Sequence, residues 1–154
     1  MNYPVEFYAA FFTVAPGGFD AEIVLGGMSS VNRYIKEVDE KGKEASQKDK
    51  ELQNTLYLVR EALARKIVFL PIDLYKSDAR AFTIENGKIR LPFSTLNGLG
   101  ERAAQSIVEA REDGEFSSKE DLKNRAQISK SVLEIFDKIG VTSSMTETDQ
   151  LSFF

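Results

Sequence analysis

A pair of glycines one residue apart, followed at fixed spacing by small and branched apolar residues, constrains this chain more than any other feature. The run Pro92-Phe93-Ser94-Thr95-Leu96-Asn97-Gly98-Leu99-Gly100 leads into Glu101-Arg102-Ala103-Ala104, with Ile107 three positions further on. From Leu96 onward the pattern is apolar-x-Gly-apolar-Gly-x-x-x-Ala-x-x-Ile. Each position has a physical task. Gly98 and Gly100 are expected to take positive φ in a tight turn and to leave the backbone bare. Leu96 and Leu99 anchor that turn in a core. A helix over residues 101–111 turns Ala103, Ala104, Ile107 and Val108 inward, and Ala104 is small enough for a second helix to approach closely. The N–H groups of the turn and of the first helical turn then face outward together, and such a helix start accepts phosphate.

Composition narrows the chemistry that can accompany this feature. The 154 residues include no Cys, no His and no Trp. Cys or His zinc sites, thiolate nucleophiles, disulfide frameworks and Ser-His-Asp arrangements are therefore excluded. A metal would have to sit on carboxylates and carbonyls. The acidic residues Glu109, Glu112, Asp113, Glu115, Glu120 and Asp121 read as a solvated face, because nothing forces a pair of them inward. The net charge of −4 excludes a globally basic nucleic-acid binder. It does not exclude one that grips phosphate through backbone amides. No apolar run approaches the roughly 20 residues of a membrane span, and the start, Met1-Asn2-Tyr3-Pro4, has no basic segment of a signal peptide. The absence of Cys fits a reducing, cytoplasmic setting.

Upstream of the glycine pair the chain reads as helices followed by a ribbon. Pro4 opens a helix in which Val5, Tyr8, Ala9 and Phe12 share a face, while Phe7 and Phe11 make it apolar nearly all round. Such a helix is normally buried between neighbours, which suggests a piece of something larger. Ala15-Pro16-Gly17-Gly18 and Gly26-Gly27 break the chain, and neither Gly pair is followed by the Lys-Ser or Lys-Thr of a P-loop. Residues 30–41 place Val31, Tyr34, Ile35 and Val38 at helical spacing, and Gly42 stops them. Ser46 caps a second helix with the stripe Leu52, Leu56, Val59, Leu63 and Ile67. Asn86-Gly87 between the alternating runs Arg80-Ala81-Phe82-Thr83-Ile84 and Lys88-Ile89-Arg90-Leu91 predicts a two-stranded hairpin.

The pattern at residues 96–107 has the form of a helix-hairpin-helix motif. Ala104 and Ile107 at the matching offsets separate it from a plain Gly-rich helix start. Downstream, Gly114 ends the first helix. Ser117-Ser118-Lys119-Glu120 reads as a capping box with Ser117 at the cap. Ser129 caps a further helix that buries Val132, Leu133, Ile135, Phe136 and Ile139 and stops at Gly140. The helical count suits a paired motif, whose second hairpin, Arg125-Ala126-Gln127-Ile128, lacks glycine and is expected to be structural. After Val141 periodicity is lost, and the run to Asp149 reads as disordered. The terminal Gln150-Leu151-Ser152-Phe153-Phe154 carries three large apolar side chains. It is either a tail folded back on its own domain or a short motif that docks elsewhere.

Taken in order, these segments resemble the C-terminal end of the C-family bacterial replicative DNA polymerases, the DNA polymerase III alpha subunit of PolC type. Tyr3-Pro4-Val5-Glu6-Phe7-Tyr8-Ala9-Ala10 is similar to the fingers helix of that family. Asp73-Leu74-Tyr75-Lys76-Ser77 is similar to the segment before its ribbon. Leu99-Gly100-Glu101-Arg102-Ala103-Ala104, with Phe116 and Asp121-Leu122, is similar to its duplex-binding helix-hairpin-helix pair. Gln150-Leu151-Ser152-Phe153-Phe154 resembles its sliding-clamp-binding peptide, Gln-Leu-Ser/Asp-Leu-Phe, with Phe153 in place of Leu.

The resemblance implies a mostly α fold with a small β-hairpin. Residues 1–68 form a helical fingers remnant and 69–92 a β-ribbon connector. Residues 93–141 form the helix-hairpin-helix duplex-binding domain, and 142–154 a flexible tail with the clamp peptide. It implies DNA contact by Leu96, Asn97, Gly98, Leu99, Gly100, Glu101, Arg102 and Ala103, and clamp contact by Gln150, Leu151, Ser152, Phe153 and Phe154. The partners implied are double-stranded DNA, the sliding clamp and upstream polymerase domains. Magnesium belongs to the palm of the parent enzyme, so no cofactor and no catalytic residue is expected here, and this portion alone is expected to be inactive. The competing readings are a free-standing helix-hairpin-helix scaffold and a small carboxylate-metal enzyme.

Overall fold

In the computed structural model, residues 4–15 and 18–148 are described. Helix α1 (Val5–Val14) follows Pro4, and its faces are unequal: Tyr8, Ala9 and Phe12 are buried, whereas Phe7 and Phe11 are each 38% exposed and Val14 77%. Phe12 packs with Phe19, Phe69 and Phe82 in an aromatic cluster. A short helix α2 (Ala21–Leu25), capped by Asp20, intervenes before α3 (Gly27–Lys41), so the third helix begins before Ser30. Gly27 sits at φ 81 and makes the break between them.

Helices α3 and α4 (Gln47–Ala64) form an antiparallel pair closed at Gly42, which has φ 54. Ser46 and Asp49 make a reciprocal capping box at the start of α4. Buried in the pair are Val31, Ile35, Leu56 and Val59, and also Gln53, whose amide donates to the Ile35 carbonyl (3.0 Å) and the Asp39 carboxylate (2.8 Å). Those two bonds are what make a buried amide tolerable. Tyr34 donates to Asp49 at 3.3 Å. Burial, together with the Asp49 carboxylate beside it, pushes its phenol up to about 12.

The ribbon is three-stranded rather than two-stranded. Strands β2 (Thr83–Glu85) and β3 (Lys88–Arg90) pair antiparallel across Asn86 (φ 51) and Gly87 (φ 76). Two consecutive positive φ values are what a tight hairpin turn requires. Strand β1 (Phe69–Leu70) adds in parallel to β3, giving the order β1-β3-β2. It is two residues long, too short for alternation to reveal it. Arg90 is 8% exposed and ties the sheet together: its guanidinium holds Glu85 through two bonds (2.6 and 2.7 Å) and donates to the Pro71 carbonyl at 2.8 Å. Hydrogen bonding from Arg90 draws the Glu85 carboxyl below its usual range.

The remaining helices are α5 (Glu101–Ala110), α6 (Lys119–Ala126) and α7 (Lys130–Ile139). Buried apolar side chains from Tyr8 in α1 to Phe136 in α7 form one contiguous cluster, with Phe93, Ile107 and Leu122 at no exposure. The cap of α6 lies one residue later than expected. Ser118, which is fully buried, accepts from the Asp121 N–H, while the exposed Ser117 N–H donates to the Asp121 carboxylate at 2.9 Å. That bond, aided by Arg125, lowers the Asp121 carboxyl.

Residues 141–148, expected as a disordered run, are instead folded as a strap across the start of α6. Thr142 is fully buried, and its hydroxyl donates to Asp137. The Lys119 and Glu120 N–H groups donate to the carbonyls of Thr146 (2.8 Å) and Glu147 (3.0 Å). Lys119 bridges Asp137 and Glu147, each at 3.1 Å. Periodicity fails here because the strap is held by backbone bonds and a polar latch, not by an apolar stripe.

Candidate functional site

The glycine-pair segment forms an exposed ridge pinned by buried side chains. A single 3-10 turn (Phe93–Thr95) precedes it and replaces the first helix of the leading hairpin. Leu96 (2% exposed) and Leu99 (7%) point into the core, whereas Asn97, Gly98, Gly100, Glu101 and Arg102 are on the surface and Ala103 is half-buried. The Leu99 N–H closes the turn on the Leu96 carbonyl at 3.2 Å. The first bond of α5 runs from the Ala104 N–H to the Gly100 carbonyl at 3.0 Å. Among the described residues, no acceptor meets the N–H groups of Gly98, Gly100, Glu101, Arg102 or Ala103, and α5 has no side-chain cap. A helix start without a cap leaves its donors to solvent or to a ligand.

The two glycines serve different ends. Gly98 has φ 93, which other residues rarely adopt, and a Cβ there would lie 2.9 Å from the Ile135 Cδ1 of α7. Gly100 departs from expectation. Its φ is −74 and ψ 162, an extended conformation open to any residue, and a Cβ would meet nothing within 4 Å. Gly100 therefore contributes bareness on the outer face of the ridge and not a turn.

The second hairpin differs. Gln127 adopts the left-handed conformation (φ 54), and Ser129 caps α7 by accepting from the Val132 N–H at 3.2 Å. Arg125 is turned inward, donating to the carbonyls of Ala110, Gly114 and Glu115 and lying 4.5 Å from the Phe116 ring centre. Its cation staples the α5–α6 loop and is not offered to a ligand.

Side-chain charge around the ridge is sparse. Glu101 pairs with Arg80 at 3.1 Å, both largely exposed, while Arg102 makes no ion pair among the described residues. Sequence reasoning missed Arg80, since it lies in a segment read as strand and reaches α5 only through the fold. The acidic residues Glu109, Glu112, Asp113, Glu115 and Glu120 are exposed, and among the described residues no group of three carboxylates is arranged to hold a metal ion. Among the described residues no helix is long and apolar enough to cross a membrane. Gln150, Leu151, Ser152, Phe153 and Phe154 lie outside the described residues.

The family model for the helix-hairpin-helix motif matches residues 66–151, more than half of the chain. The chain belongs to the helix-hairpin-helix family. Over 99–100% of its length it is also similar to bacterial proteins named DNA polymerase III PolC-type. It is 43% identical over 152 residues to that of Caldanaerobacter subterraneus, 41% over 155 to that of Thermotoga petrophila and 42% over 152 to that of Clostridium perfringens. The chain spans only 10–11% of the length of these relatives. The helix-hairpin-helix match covers the bare ridge, α5, α6, α7 and the strap, and it begins ahead of β1.

Proposed function

We propose that this chain is the C-terminal portion of a cytoplasmic replicative DNA-directed DNA polymerase, and that it holds primer-template duplex by its backbone through residues 96–103. The observation that carries the reading is the row of unaccepted N–H groups on a ridge anchored by Leu96 and Leu99. Backbone amides at a helix start receive phosphate without a positive side chain, which suits a protein of net charge −4. Phosphate contacts fix register and carry no sequence information, so the grip permits sliding.

Gln150, Leu151, Phe153 and Phe154 then dock on the ring-shaped sliding clamp, their apolar side chains filling a pocket there. Two weak grips on one clamp–DNA assembly gain on the order of 10²–10⁴ in avidity, which is the source of processivity. The exposed outer face of α1, with Phe7, Phe11 and Val14, serves as the contact for upstream polymerase domains. Nucleotide transfer and its magnesium belong to those domains, and this portion alone is inactive.

Anisotropy titration of a labelled DNA duplex against salt tests the DNA half of the reading. Contact with about two phosphates gives a slope of log K against log salt near −2, equal for unrelated sequences. A sequence-dependent slope, or no binding at low salt, overturns it. Deleting residues 150–154 should abolish clamp binding in a pull-down while leaving the thermal melt unchanged. A lowered melt would show instead that the tail packs on its own domain.

A further inference from the structure

A cleft of about 300 Å³ lies beside the ridge and joins regions distant in sequence. Its walls include Ser94, Asn97 and Gly98 from the hairpin, Asp20 from the cap of α2, and Lys48 from the first turn of α4. Lys48 is exposed and makes no ion pair or hydrogen bond among the described residues. Its neighbours on α4 are committed elsewhere: Asp49 pairs with Lys41, and Gln47 bonds Glu51. A cation in the first turn of a helix opposes the helix dipole, so α4 itself gains nothing from lysine there.

Asp20, the acid in the wall, keeps its negative charge but is engaged in capping α2, and Glu101 lies outside the cleft. Asp20 accepts from the Ile23 N–H at 3.1 Å, and Glu101 is held by Arg80. The cleft therefore presents one free ammonium group, the Ser94 hydroxyl and the Asn97 amide next to the unaccepted Gly98 N–H.

We infer that this cleft continues the DNA surface, and that Lys48 takes a phosphate of the strand whose neighbouring phosphate rests on the hairpin amides. The inference rests on the backbone-binding reading above and extends it from the helix-hairpin-helix half onto the N-terminal helices. The occupant is the sugar-phosphate backbone of duplex DNA, since the Lys48 ammonium, the Ser94 hydroxyl and the Asn97 amide can all donate, and the aromatic ring in the wall, Phe19, is half-buried and packed on Phe12, Phe69 and Phe82.

The test compares the full chain with Lys48→Gln and Lys50→Gln, titrating the same DNA duplex at several salt concentrations. Lys50 is exposed on the same helix but does not line the cleft. Lys48→Gln should reduce the magnitude of the salt slope by about 0.9, the effect of one lost phosphate contact, with an unchanged melt. Lys50→Gln should leave the slope as it is. Binding by the unaltered chain with equal slopes for it and Lys48→Gln overturns this inference and spares the backbone-binding reading. An equal drop for both variants also overturns it, because the charge then acts diffusely. Absence of binding by the unaltered chain brings down the underlying reading itself.

Discussion

Helices α5 and α6 both begin after a short loop within the family match, yet their first turns are treated in opposite ways. At α6, Ser118 accepts from the third residue, and the strap carbonyls of Thr146 and Glu147 accept from the first two. At α5 the cap position is glycine, and the first three N–H groups have no acceptor among the described residues. A serine at a helix cap stabilises by about 1 kcal/mol relative to alanine but only by a few tenths relative to glycine, so the glycine start of α5 forgoes a small available gain. Serine caps stand at α4, α6 and α7 and an aspartate cap at α2, whereas α5, like α1 and α3, has no side-chain cap, and α5 is where the proposed ligand sits.

The largest expected effect comes from destroying the bare start outright. Gly98→Val places a β-branched residue at φ 93, costing roughly 1–3 kcal/mol of strain, and presses on Ile135. Denaturant unfolding should show that loss, and duplex binding should vanish even where the variant remains folded. A folded variant with undiminished binding would mean that the ridge at α5 is as closed to ligand as the start of α6.

A smaller effect is expected from opening the covered start. Thr142→Val keeps the shape and removes the hydroxyl donated to Asp137, a loss of about 1 kcal/mol for one hydrogen bond. Hydrogen exchange at the Lys119 and Glu120 amides should accelerate with no change in duplex binding. The same latch responds to acid. The Thr142 hydroxyl first, and then Lys119, lower the Asp137 carboxyl. Its contribution is therefore complete above the ordinary Asp value of about 3.9 and is lost as pH falls through the lowered folded value. Protection of those two amides should decline only below about pH 4. Decline near neutrality would locate the latch elsewhere.

The smallest change makes α5 resemble α6. Gly100→Ser fits the extended φ and open space at that position and supplies a cap for the Ala103 N–H. Stability should rise by a few tenths of a kcal/mol, while duplex affinity falls because one donor has been claimed. A variant that is both more stable and equally tight would show that the third N–H is idle in binding.

What was readable in advance follows the range of the forces. Asn86-Gly87, Gly42, Ser46, Ser129 and Gly140 act through their own φ or through bonds a few residues away, so their roles were plain from neighbours in the chain. The burial of Leu96 and Leu99 beside exposed Gly98 and Gly100 was equally local. Ser117 and Ser118 both stand in a chemically adequate register for the cap, and only the burial of Ser118 and the reach of Asp121 choose between them. The positive φ expected at Gly100 failed because one left-handed residue, Gly98, already completes the turn.

The sequence by itself determined the helices, the hairpin turn and the glycine-pair ridge, because periodicity, caps and turn residues act over one or two turns of chain. Only the tertiary structure decided the parallel addition of β1 to β3, the strap over α6, and the meeting of Lys48 and Arg80 with the ridge. Those depend on pairings across long stretches of chain, whose geometry is set when one apolar core forms from α1 through α7, and no local pattern encodes that distance.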